Sequence, residues 1–144
     1  MALRWILAAA LVAVMVPPGT DTSAAREIAI QHEGRVKPFD TFARQLIQFL
    51  TEKENFRGYT DPDTGTWVEV FPDGDPVRAV LRMVADPRGV HSLRFIKVTH
   101  PELKKHFGLE EGRTYFSLAD LESARGKLTA EARQIDEDTA TSRQ

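Results

Sequence analysis

Polar and apolar positions alternate through Glu27-Ile28-Ala29-Ile30-Gln31, a period near two that predicts a short strand. Gly34 supplies a turn, and Pro38 biases Lys37 towards an extended backbone. The period then changes. Phe42, Ala43, Leu46, Ile47, Phe49 and Leu50 recur at helical spacing, which predicts a helix from Thr41 to about Lys53 with a broad buried stripe. Asp40 stands just before it, where an N-cap belongs. Asn55 to Thr66, rich in Asp, Gly, Thr and Pro, reads as loop. Trp67-Val68-Glu69-Val70-Phe71 reads as a second strand, and Pro72-Asp73-Gly74 as a turn. Asp75-Pro76 is a cap followed by proline at the first helical position. The helix it opens runs to about Ala85, with Val77, Val80, Leu81 and Val84 on one stripe, and Asp86-Pro87-Arg88-Gly89 ends it.

Further along, Leu93 to Val98 reads as a third strand. His100-Pro101-Glu102-Leu103 opens a short helix that Gly108 closes. Arg113 to Phe116 is extended, and Ser117-Leu118-Ala119-Asp120 resembles a capping box at the start of a last helix. Short, few strands among helices predict a small single α+β domain, with three to four strands and three to four helices, over residues 26–130. Residues 131–144 are polar and read as a disordered tail.

The longest apolar run lies at the N-terminus. Arg4 and the terminal amine precede an unbroken stretch from Trp5 to Val16, and Pro17-Pro18-Gly19 breaks it. Small residues follow at Ser23-Ala24-Ala25, so residues 1–25 read as a secretory signal cut after Ala24 or Ala25. The alternative is a retained membrane anchor. A run of 12 residues makes about 18 Å of helix, short against a bilayer core of about 30 Å. The expected location is therefore periplasmic or otherwise extracytoplasmic, soluble or peripheral at the membrane.

Composition narrows the chemistry. The chain has 144 residues, with 19 Lys and Arg, 21 Asp and Glu, and a net charge of -2. Removing residues 1–25 takes away Arg4 and Asp21 and leaves that balance unchanged. A phosphate backbone is thus a poor partner, and no nucleic acid is expected. The chain contains no cysteine. That excludes disulfides, thiolate catalysis, cysteine metal sites, covalent haem attachment and a lipid anchor on an N-terminal cysteine.

The densest constellation is Gln31-His32-Glu33-Gly34-Arg35-Val36-Lys37-Pro38-Phe39-Asp40-Thr41. On an extended backbone Arg35 and Lys37 project on one face, just before a helix N-terminus. With His32 they could contact an anion or a partner. The structural alternative is that Gly34 turns, Pro38 stiffens, Asp40 caps and Arg35 pairs with an acid. Elsewhere, Asp61-Pro62-Asp63-Thr64-Gly65 opens like a calcium loop, but Thr66 and Pro72 stand where Gly and Glu are required. A turn is the expectation. His32, His91, His100 and His106 lack the spacing of a helical metal pair, and no metal site is expected. Haem ligation by a single histidine has no supporting motif. Serine-nucleophile motifs and a glycine-rich phosphate loop are missing from the sequence, so the expectation is a non-enzymatic protein without catalytic residues.

The run from Gln31 to Arg44 resembles the Gln-x-x-Gly-Arg-x-Lys-Pro-x-Asp-Thr-x-Ala-Arg segment of system II cytochrome c biogenesis proteins of the CcsA and ResB-CcsA type. Shorter similarities follow in order at Asp86-Pro87, Ile96-Lys97-Val98, His100-Pro101-Glu102-Leu103, Phe107-Gly108-Leu109 and Tyr115-Phe116-Ser117, so the resemblance spans residues 28–121. In that family the similar region is extracytoplasmic, and the membrane portion delivers haem for attachment to apocytochrome c. This sequence has no tryptophan-rich haem-handling motif and, after residue 25, only Trp67. The resemblance therefore implies an accessory version of the extracytoplasmic module. It would dock on a membrane protein of cytochrome c assembly or serve as a structural subunit of an electron-transfer complex. Gly34, Arg35, Lys37, Pro38, Asp40 and Thr41 are its signature. A haem- or anion-binding periplasmic protein is the other reading.

Overall fold

Thirteen consecutive residues, Phe39–Thr51, form the longest helix among the described residues of a small α+β domain. The structure is a computed structural model that describes residues 21–122, 124–127, 129, 130, 133 and 134. Residues 1–20 of the expected signal segment lie outside the described residues, as does all of the expected tail but 133 and 134. In chain order the elements are α1 (Ser23–Arg26), β1 (Ala29–His32), β2 (Arg35–Pro38), α2 (Phe39–Thr51), β3 (Gly58–Thr60), β4 (Trp67–Glu69), α3 (Pro76–Ala85), α4 (Pro87–His91), β5 (Ile96–Lys97), α5 (Pro101–Phe107), β6 (Tyr115–Phe116) and α6 (Leu118–Glu122). The strands pair only as neighbours, in three antiparallel two-stranded sheets: β1–β2, β3–β4 and β5–β6. Elements are more numerous and shorter than the sequence pattern suggests. No helix among the described residues is long and apolar enough to cross a membrane.

Three short sheets cannot bury a core by themselves. Two helices supply it: α2 presents Ala43 and Ile47, and α3 presents Val77, Ala79 and Val80. Aromatic rings fill the remainder. Phe56 lies 5.2 Å from Tyr115 and 6.4 Å from Phe71, and Phe71 lies 5.6 Å from Phe95. Such offset and edge contacts add to the area they bury.

Local chemistry sets the element ends. Asp75 caps α3 as expected, its Oδ1 accepting the Val77 N–H at 2.9 Å with Pro76 behind it. Ser117 and Asp120 form the capping box of α6. The Ser117 N–H donates to Asp120 Oδ2 at 2.9 Å, and the Asp120 N–H donates to Ser117 Oγ at 3.1 Å. Gly108 closes α5 with φ 68°. Thr51 ends α2: its buried hydroxyl donates to the Ile47 carbonyl at 2.8 Å and accepts the Lys53 N–H at 3.1 Å.

Two expectations are corrected. Asp40 is not an N-cap. The helix begins two residues earlier, at Phe39, with Pro38 in the cap position and no side-chain cap. The Phe39 N–H already donates to the Ile28 carbonyl at 2.8 Å, continuing the β1–β2 ladder into the first helical turn. Asp40 is left inside that turn, where its charge suits the helix dipole. Asp86-Pro87-Arg88-Gly89 ends α3 at Ala85 as expected, and Asp86 then accepts the Gly89 N–H at 2.9 Å and opens the short α4. The loop read over Asn55 to Thr66 contains β3, which pairs with β4 from Gly58 opposite Glu69 to Thr60 opposite Trp67.

Candidate functional site

The densest constellation of the sequence folds into one unit, the β1–β2 hairpin leading into α2. Glu33 and Gly34 make its two-residue turn with φ 53° and 73°, the positive pair that matches strand twist in a tight hairpin. His32 stands opposite Arg35, and Ile30 opposite Lys37. Residues paired or two apart share a face, so His32, Arg35 and Lys37 lie on one side of the hairpin. The expected placement of Arg35 and Lys37 on one face holds.

That side meets α2. The His32 ring sits edge-on to Phe42 with centroids 5.1 Å apart. Lys37 Nζ donates to Gln45 Oε1 at 2.8 Å and lies 3.4 Å from His32 Nδ1. His32, Glu33, Phe42, Gln45, Leu46 and Phe49 line a groove of about 430 Å³ between the hairpin turn and the helix. Phe49 is 83% exposed at its edge. Val36, on the opposite side of the hairpin, is 72% exposed. Arg35 has no ion pair or hydrogen bond among the described residues, so the expected pairing with an acid is not made.

A polar network secures the base of the unit. Arg26 bridges Asp40 and Asp75, reaching the latter at 2.6 Å. Arg44, one helical turn on from Asp40, donates its Nε–H to Asp40 Oδ2 at 2.8 Å. The Arg44 bond, with Arg26 adding to it, holds the Asp40 carboxyl below the usual carboxylate range despite partial burial; Asp40 in turn raises Arg44. Asp75 therefore has two tasks, capping α3 through Oδ1 and tying α1 down through Oδ2. Thr22 is buried beside it, with its hydroxyl 3.5 Å from the same Oδ2.

The unit thus divides into parts. Gly34, Pro38 and Asp40 shape and anchor it. His32 and Lys37 touch each other and the helix. Arg35, Val36 and Phe49 remain available at its surface. Thr41 is exposed on the first turn of α2. Arg26, Arg44, Asp75 and Phe49 were not singled out as site residues in the sequence. The Asp40–Arg44 spacing of four was a usable signal; the link from Arg26 to Asp75, 49 residues apart, was not. Among the described residues, no group of three or more His, Asp or Glu side chains is placed to hold a metal.

No protein-family model, curated protein or solved structure matches the chain.

Proposed function

We propose that this protein is an exported, non-enzymatic accessory domain that docks on a membrane protein of cytochrome c assembly. The resemblance of the Gln31–Arg44 run to the extracytoplasmic region of system II biogenesis proteins supports the assembly context. One observation supports docking: the hairpin and the helix that follows it leave Val36, Phe49 and Arg35, which has no partner among the described residues, at the surface. Phenylalanine and arginine are residue types enriched at interface centres. The Arg26–Asp40–Arg44 network ties the first turn of α2, which follows the hairpin, to α1.

The test is affinity capture of tagged protein from solubilised membranes. Recovery of a cytochrome c assembly protein, lost in Phe49→Glu and Arg35→Ala variants that fold normally, is expected. Recovery of no cytochrome assembly or respiratory component contradicts the proposal, and recovery of a respiratory complex alone favours the structural-subunit alternative. A haem- or anion-binding role is favoured by a separate observation, the sharing of one hairpin face by His32, Arg35 and Lys37. A haem titration decides it: a Soret shift abolished by His32→Ala is its signature.

A further inference from the structure

A cavity of about 250 Å³ opens near the ends of the β3–β4 and β5–β6 sheets, its walls including Lys53, Tyr59, Trp67, Arg94, Arg113 and Tyr115. We propose that it binds a small planar anion, a carboxylate carried on a single aromatic ring.

The walls supply flat apolar surface. Tyr59 and Tyr115 are stacked with centroids 4.8 Å apart and planes 28° from parallel. Trp67, 55% exposed, adds a large ring that the core does not use. Tyr59 and Tyr115 bury their rings, while their hydroxyls are solvent-accessible and make no hydrogen bond to protein among the described residues.

The charges around these rings are incompletely matched. Lys53 has no carboxylate partner among the described residues; its ammonium lies 5.7 Å from the Phe56 ring centroid. Arg94 Nε is 3.5 Å and Arg113 Nη1 3.9 Å from the Asp120 carboxylate. Both separations exceed the length of about 2.8 Å expected for a charge-assisted bond. Arg113 reaches Glu110 at 2.6 Å through its other nitrogen, Nη2. A guanidinium carries five N–H donors, so each arginine keeps capacity for an incoming carboxylate. Asp61 and Asp63 also line the cavity. Asp61 Oδ1 is engaged by its own turn, accepting the N–H groups of Asp63 at 2.9 Å and Thr64 at 3.2 Å. Asp63 is exposed. The volume lies below the roughly 300 Å³ at which drug-sized sites begin, which suits one ring rather than a fused system.

Calorimetric titration of the full chain with benzoate, benzyl alcohol and acetate separates ring from charge. Tryptophan fluorescence follows the same titrations, with Trp67→Phe assigning the signal. Saturable benzoate binding is expected, at least about tenfold tighter than the alcohol or acetate, and Arg94→Ala weakens it about tenfold. Lys53→Ala and Trp67→Ala, at side chains free of ion pairs and hydrogen bonds, weaken it without unfolding the protein and decide the matter if Arg94→Ala does not fold. Absence of saturation at millimolar benzoate overturns the proposal. So does equal affinity for benzyl alcohol, or benzoate binding unchanged in both Lys53→Ala and Trp67→Ala.

Discussion

Replacing Asp40 by alanine tests how the hairpin–helix unit is held. In a capping role the loss would be local to α2. In the network seen here, the carboxylate joins three segments: α2 itself, α1 through Arg26, and α3 through the Arg26 bridge to Asp75. Its bond to Arg44 is an exposed i, i+4 pair, worth about 0.4 kcal/mol. The charge in the first helical turn contributes about 0.5 kcal/mol. The Arg26 contact is partly buried and tertiary, and contributes about 0.7 kcal/mol after screening. Asp40→Ala is therefore expected to cost about 1.5 kcal/mol and to lower Tm by about 8 °C. Thermal and urea unfolding followed by circular dichroism measure it. The signature of a network is coupling: Asp40→Ala and Arg26→Ala together should cost at least about 0.5 kcal/mol less than their separate effects combined. The pH dependence has a definite sign. The folded-state pKa of Asp40 is depressed, so its contribution is complete above the unfolded value of about 3.9 and fades as pH falls through the folded value. The gap between wild type and variant should thus shrink below about pH 4. Strict additivity with Arg26→Ala, or a Tm shift under about 1 °C, would refute the network account.

Three further outcomes follow from other parts of the fold. Phe56→Ala removes a ring that is 1% exposed and meets Phe71 and Tyr115; a loss of about 3–5 kcal/mol by urea titration is expected. Gly58→Ala sets a Cβ against the Val68 carbonyl, so the β3–β4 pair must shift; a Tm drop, with faster amide exchange at β3 and β4, checks it. Ser117→Ala removes the hydroxyl that accepts the Asp120 N–H and donates to Asp120 Oδ2, while the backbone N–H of residue 117 keeps its bond to Asp120; it should cost about 1 kcal/mol of chemical stability.

The parts legible in the sequence were those decided by local chemistry. Asp75-Pro76 and Ser117 with Asp120 acted as caps because each satisfies its own helix N-terminus, whatever packs nearby. Gly34 made its turn for the same reason. Asp40 misled because its role is tertiary: the Ile28 carbonyl took the helix's first free N–H, and two arginines took the carboxylate. Strand β3 was hidden because Gly58-Tyr59-Thr60 is too short to show a period and borders a turn-rich segment. At the candidate site, the shared face of Arg35 and Lys37 followed from strand alternation. The exposure of Phe49 did not, because its spacing fits the buried stripe of α2. Which edge of that stripe the core covers depends on α3 and the hairpin.

Site-specific photo-crosslinking in cells tests the proposed docking surface most directly. A photoreactive residue placed at position 49 or 36 should form adducts with a membrane protein of cytochrome c assembly, while one at position 88, exposed on α4, should not. Adducts that are absent from positions 49 and 36, or equally abundant from position 88, would contradict the account.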